Sequence, residues 1–568
     1  MKKTIIWGLI LVLTLGLLAG CGETSEVIEE QPAEPEVIIE KIPQEGGIIS
    51  VPIGYFQGLN PYLNMDRSLY YFNQLIYEGL YRLNADGELE AVLAESASWS
   101  PDGKTVTIDI KPGITFQDGS LLTAEDVAFT LKALQSGAEG FDYTQYFEQT
   151  VRTADAEDLS KIYRVSVNGE YQVVIQYDQA YSNAARSLIF PVLDAEAFGV
   201  DASESERIRN FYDVAYDYVP NGTGPFKYIT HENVKEISLL RNEKWWQGST
   251  YLDGVTGVVT EGQAGGIEAF QNGMLDVMVT TETDPQKYGQ NEVRVASYET
   301  DRAEALFFNF HSELYAREEG AAIRRAIAKA IDQRAIVGTV YGGHAVPATY
   351  LLPPGINEAA YRSVDLVGAN QELDAAGIVD TNDDGIRELD GRKFQMTMLV
   401  DAENANRMKI AEMIQADLAK IGVEILVRSQ YTNKADLIEW YRTSLVEKQD
   451  DLVLLGWELG FVPDPSFAIV TDDAETTLNL TGYSNEAMDE ILRRLFMESD
   501  PAAWNEVLKE WKTAMGLEMP VLGLVNRKSA LLVNGRINGD LNGNVYELYR
   551  GIEGWFVEYQ EKEVNSGQ

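Results

Sequence analysis

Cysteine is all but missing from this chain: Cys21 is the only one among 568 residues. An intramolecular disulfide is therefore excluded, stability has to come from packing, and a catalytic thiol would have to sit at that single position. Histidine is nearly as scarce, and His231, His311 and His344 show no metal-ligand spacing. No G-x-S-x-G elbow occurs, which weighs against a secreted hydrolase. With 89 acidic residues, the paired carboxylates of a glycosidase stay open as a distant alternative. Basic residues are outnumbered, 46 Lys and Arg against 89 Asp and Glu, for a formal net charge of −43. A surface of that sign argues against nucleic acid and against electrostatic docking on anionic lipid. The glycine-rich turn Asn221-Gly222-Thr223-Gly224-Pro225 is followed by no lysine–serine pair and no helix, so it is not a phosphate loop. No repeat suggests a solenoid.

What the sequence does contain begins with a targeting segment. Lys2 and Lys3 precede an apolar run, Ile5 to Leu18, broken by Gly8, Thr14 and Gly16 and too short for a lasting membrane span. It ends Leu18-Ala19-Gly20-Cys21. From Gly22 to Gln44, glutamates and prolines form a segment without a core, read as an extended tether. The remainder, with 45% apolar residues over the whole chain, is long enough for several domains.

The stretch Ile76–Leu134 reads as a small α/β unit. Ser100-Pro101-Asp102-Gly103 is a tight turn, and Val106, Ile108 and Ile110 alternate with polar residues as a strand with one buried face. Thr123 caps a helix through Val127, Phe129, Leu131 and Leu134, with Asp126 in its first turn. Glu268 to Val279 reads as helix, turn and short strand. Between Ala322 and Tyr341, Ile323, Ile327 and Ile331 predict one buried helix face, with Arg324, Arg325, Lys329 and Arg334 pointing away. Asn406–Ile421, Gly422 and the alternation Val423, Ile425, Val427 give helix, stop and strand, so this part holds a mixed sheet flanked by helices. Asp380, Asn382, Asp384 and Gly385 match the first half of a calcium loop, but position 12, where a glutamate belongs, is Gly391. A polar turn before a strand is the alternative reading.

Taken in order, EGL at Glu78, LAESASWSPDGKT, IKPGITFQDGSLLTAEDVAFT, the GTGPF turn, Asn242-Glu243-Lys244-Trp245-Trp246 and Gly456-Trp457 through Asp464-Pro465 resemble the extracytoplasmic solute-binding proteins of family 5, which serve peptide/nickel-type ABC importers. The resemblance runs from about residue 46 to 558. It implies an α/β, periplasmic-binding-protein-like type II (cluster C) fold, with two mixed-sheet lobes, an extra domain and a hinge-linked cleft. The implied layout is a signal peptide over 1–20 and a lipidated Cys21 with its tether over 21–45. Lobe I is discontinuous, from 46–78 with 222–302 and 527–560; the extra domain spans 79–221 and lobe III 303–526.

The implied function is capture of oligopeptide or a similar small solute and its delivery to ABC permease subunits, by a monomer lipid-anchored at the outer face of the cytoplasmic membrane. It implies no enzyme activity and no cofactor. A non-peptide solute, such as a sugar or metal chelate, and a ligand-sensing receptor stay open. By the same resemblance, cleft residues are Tyr55, Phe56 and Asn60, then Thr280, Thr281 and Glu282, then Gly456, Trp457, Glu458, Gly460 and Asp464. The aspartate that pairs with a peptide's α-ammonium is replaced by Gly460, and Glu458 is the nearest substitute.

Overall fold

The computed structural model describes residues 37–64, 66–135, 163–233, 235–281, 293–356, 359–430, 444–447, 449–463, 469–471, 479 and 481–565. Among these, no helix is long and apolar enough to cross a membrane. The chain divides into two units. In the small one, the strands Val37–Pro43 and Tyr559–Asn565 form a two-stranded sheet. The end of the expected tether is thus a strand; Val37, Ile38, Ile39 and Ile42 are β-branched and favour extended backbone.

The large unit spans Pro43–Tyr559 and holds three main sheets. In the first, Ile48–Ile53 lies parallel to Gly254–Val259, which continues antiparallel through Glu236–Arg241 to Phe226–Glu232. The second is antiparallel and runs Ala94–Trp99, Thr105–Ile110, Gln172–Tyr177, Tyr163–Val167. The alternation read at residues 105–110 appears as buried Val106, Ile108 and Ile110. One continuous core joins these two sheets, from Ile49 and Val51 to Val106 and Ile175.

The third sheet is mixed and seven-stranded: Val277–Thr280, Val521–Val533, Arg294–Phe308, Leu452–Glu458, Gln395–Asp401 and Glu424–Gln430, with Ala345–Pro347 on the side of Val521–Val533. Its central strands are buried on both faces. Leu306, Leu452 and Leu454 pack into one core, whereas Phe307, Val453 and Leu455 pack into another. Strand pleating sends neighbours to opposite faces, so an unbroken apolar run is what a two-sided sheet requires.

Several local details differ from what the sequence suggests. Thr123 donates its amide and its hydroxyl to Asp126 Oδ2, both at 2.9 Å, so Asp126 reaches back to the helix start. The helix before Val277 starts at Gly262, not at Glu268. Ala322–Tyr341 is two helices, because Asp332 caps a new one at Gln333 by accepting from the Ala335 amide at 2.9 Å. Arg324 does not face solvent. It is buried, it donates to the Glu518 carbonyl at 2.8 and 2.6 Å, and it lies 4.7 Å from the Phe310 ring centroid. A carbonyl at a helix C-terminus is a natural partner for a guanidinium.

The EGL and NEKWW segments meet at Glu78. Its carboxylate accepts from Thr223 Oγ1 at 2.8 Å, Trp246 Nε1 at 2.8 Å, Gln247 Nε2 at 2.7 Å and Trp245 Nε1 at 3.3 Å. Burial pushes its pKa up, and these four donors oppose the shift. Three separate sequence blocks are thereby tied to one side chain.

Candidate functional site

Two long strands, Arg294–Phe308 and Val521–Val533, pair antiparallel within the seven-stranded sheet. Their antiparallel register holds from Arg294↔Val533 to Glu299↔Lys528 and resumes at Ala303↔Asn526. Between these points Thr300, Asp301 and Arg302 form a bulge opposite Arg527. A bulge removes ladder pairing and re-aims side chains. Here all four residues line a cavity of about 390 Å³. Its other walls are the end of Ile48–Ile53, the start of the helix Arg67–Asn73, the start of the helix Gly262–Gln271, Thr280 and Thr281, and Tyr549 near the C-terminus. Gln263 Nε2 donates to Thr280 Oγ1 at 3.2 Å, and Tyr71 donates to the Val545 carbonyl at 2.8 Å.

An ion cluster flanks the cavity. Arg67 Nη2 lies 3.0 Å from Asp301 Oδ2 and 2.7 Å from Glu458 Oε1. Arg302 approaches Glu458 Oε2 at 3.9 Å, in register with it across the sheet. The Asp301 side chain is only 4% exposed. Burial raises its pKa, the Arg67 guanidinium opposes the shift, and the Glu458 charge adds to it. Asp301 is thus easier to protonate folded than unfolded, where an aspartate titrates near ~3.9. Its contribution to stability is full below that value and is lost as pH rises through the raised folded pKa. Melting curves between mildly acidic and neutral pH are expected to show a flatter stability profile for Asp301→Asn than for the unchanged protein. Parallel profiles would contradict this assignment.

The sequence-predicted site residues divide. Thr280 and Thr281 line the cavity. Glu458 joins it through Arg67 and Arg302. Gly456 and Trp457 precede Glu458 in the same strand and lie outside the cavity lining, with Trp457 packed toward Phe307 at 6.2 Å between centroids. Gly460 has φ +66°, the left-handed region that suits glycine. It turns the chain so that Phe461 and Val462 enter the core of the first two sheets. Three expected residues are placed elsewhere. Phe56 is a core side chain, edge-on to His231 at 5.9 Å, since its neighbourhood is apolar. Asn60 is buried as a cap: it accepts from the Tyr62 amide at 3.0 Å and donates to the Phe211 carbonyl at 2.9 Å. Tyr55 is exposed and lies outside the cavity lining. Glu282, Asp464 and Cys21 lie outside the described residues.

At the loop 380–388, carboxylate oxygens of Asp380, Asp384 and Glu388 lie within 4.8 Å of one another. The turn closes through Glu388, which accepts from Asn382 Nδ2 at 2.6 Å and from the Thr381 amide at 2.7 Å, rather than through residue 391. Asp384 also pairs with Lys393 at 2.9 Å. The loop's first acceptors are therefore spent on its own donors.

Arg67, Asp301, Arg302 and Arg527 were not legible as site residues. The one available signal was the Thr-Asp-Arg step before the apolar end of a strand, which marks a bulge only once the partner strand is known.

The family profile Bacterial extracellular solute-binding proteins, family 5 Middle, matches residues 88–477. The chain belongs to this family. It is 25% identical over 543 residues to the oligopeptide-binding protein AppA of Bacillus subtilis (strain 168), covering 91% of this chain and 92% of that one. Among solved structures, the ABC transporter substrate-binding protein CtaP of Listeria monocytogenes superposes with a TM-score of 0.70 at 21% identity, over 91% of this chain and all of that one, 100%. AppA of Bacillus subtilis in complex with a nonapeptide superposes with a TM-score of 0.59 at 23% identity, over 91% and 100%. The chain is thus an extracellular solute-binding protein of family 5 with the two-lobed α/β fold.

Proposed function

We propose that this chain captures a short peptide or a similar small solute in the hinge cavity and delivers it to the permease of an ABC importer. The observation that carries this reading is the cavity of about 390 Å³, placed on the bulge of the two linking strands. Its volume falls at the small end of the range for ligand sites, roughly 300–1,000 Å³. A solute that touches both lobes there binds one lobe arrangement better than another, and this difference alone drives closure. No bond need be made or broken. AppA's oligopeptide cargo supports a peptide.

The same reading puts the lobe boundaries at 78/79, 221/222, 302/303 and 526/527; the last two fall in the bulge. It anchors the protein, as a monomer, through a diacylated Cys21 at the outer face of the cytoplasmic membrane. A second reading, a non-peptide solute, is favoured by one observation. Gly460 stands where an amine-binding aspartate is expected, and the nearby Glu458 is already paired with Arg67 at 2.7 Å.

Native mass spectrometry of the protein from Gly46 onward, purified from its own host, tests both. Peptide-mass adducts support the first reading. One discrete non-peptide mass supports the second. No adduct from the host, and no shift in melting temperature with peptides, sugars or chelates, would overturn solute capture.

A further inference from the structure

The protein as a whole is strongly acidic, yet the charge left uncommitted in the cavity is positive. Its lining carries two carboxylates, Asp66 and Asp301, and three guanidiniums, Arg67, Arg302 and Arg527. Asp66 caps the helix Arg67–Asn73, accepting from the Ser68 amide at 2.8 Å and the Leu69 amide at 3.3 Å. Asp301 is held by Arg67, and Arg67 is in turn shared with Glu458. That leaves Arg302 and Arg527. Each has one carboxylate at 3.9 Å, Glu458 for Arg302 and Glu304 for Arg527. Both carboxylates already hold closer partners at 2.7 Å, Arg67 and Arg407 respectively. Among the described residues neither the Arg302 nor the Arg527 guanidinium makes a hydrogen bond.

The two arginines are also neighbours by construction. Thr300 Oγ1 donates to the Arg527 carbonyl at 2.8 Å and accepts from the Arg302 amide at 3.3 Å. One hydroxyl thus fastens both arginine backbones, from opposite strands, at the bulge. Both guanidiniums line the same cavity, and a guanidinium presents a planar fork of donors that fits a carboxylate.

We propose that Arg302 and Arg527 form an anion subsite at the hinge, and that the solute of this protein carries a carboxylate bound there. The inference rests on the reading of the cavity as a solute site and narrows the solute to an acidic class. Because the two side chains stand on the two linking strands, a carboxylate that bridges them touches the hinge itself.

The test uses the whole protein and two random tripeptide libraries that differ only at the C-terminus, free acid in one and amide in the other. Retention is read by native mass spectrometry, and affinity by calorimetry on retained members. Free acids are expected to be retained in preference, by roughly 10- to 150-fold for one charge-assisted hydrogen-bonding partner. The double variant Arg302→Gln/Arg527→Gln is expected to lose that preference while keeping its melting temperature, and Arg527→Lys to retain part of it. The acid-to-amide ratio of the unchanged protein needs no variant, so the test survives a misfolded one. Equal retention of acids and amides, or a host solute without an acidic group, overturns the anion subsite and leaves solute capture standing. Retention of nothing, with no host solute either, overturns solute capture and the subsite with it.

Discussion

Arg407→Met is expected to destabilise the part of the molecule built on the seven-stranded sheet by about 3–5 kcal/mol. Arg407 Nε lies 2.7 Å from Glu304 Oε2, and the two side chains are 12% and 2% exposed. Glu304 sits buried in the central strand Arg294–Phe308, and its other described cation, Arg527, stands at 3.9 Å. Removing Arg407 strands a charge in a place that water does not reach, which is the costly way to break a buried pair. For a lobe of this size the loss corresponds to about 10 °C in melting temperature, read as a shift of one transition in calorimetry.

The same pair explains Gly456. A Cβ there would lie 1.9 Å from Arg407 Nη2 and 3.1 Å from Glu304 Oε2. The glycine of the Gly-Trp block thus makes room for the arginine that neutralises Glu304. Gly456→Ala is expected to move stability in the same direction. Glu304→Leu/Arg407→Met is expected to recover most of the single-variant loss, since nothing charged is then left unpaired. A single-variant loss below about 1 kcal/mol, or strict additivity in the cycle, would refute the pairing argument.

Phe461→Ala is expected to open the molecule. Phe461 follows the third-sheet strand Leu452–Glu458 by three residues, yet its ring packs in the core of the first two sheets, 5.0 Å from Tyr546 and 5.9 Å from Tyr70, with the Arg67 guanidinium 4.9 Å from its centroid. A buried phenylalanine truncated to alanine costs about 3–5 kcal/mol. Here the ring ties the third sheet to the core of the first two, so under the proposed lobe closure the cost falls on the closed arrangement. A change of about 3 kcal/mol shifts the ratio of closed to open forms by roughly 150-fold. Small-angle scattering of the ligand-free protein should register a larger radius of gyration, with solute affinity lowered in step. Unchanged scattering and affinity together would remove Phe461 from the closing contact.

The position of Phe461 in the chain matters as much as its packing. Gly460, at φ +66°, occupies the place expected for an amine-binding aspartate, and the next residue is the one that reaches across. The departure from the family's pattern and the contact of Phe461 with the core of the first two sheets are the same local event.

The sequence alone determined the elements whose cause is local. Alternation marked Thr105–Ile110, and Gly422 at φ +74° ended the helix Ala405–Ala419 where a stop was expected. The family was legible too, because its motifs are themselves turns, caps and packing ties, as Glu78 shows. What only the tertiary structure decided is the charge chemistry of the cavity. Whether Asp301, Arg302, Arg527 and Glu304 face water, one another or a solute depends on which strand pairs with which, and on a register shift between Glu299 and Ala303. Tyr55, Phe56 and Asn60 show the converse. Polar and aromatic residues near a turn have the same one-dimensional signature whether they line a cleft, cap a helix or fill a core. Those roles differ in long-range contacts, such as Asn60 with Phe211 at a separation of 151 residues, and no local pattern encodes them.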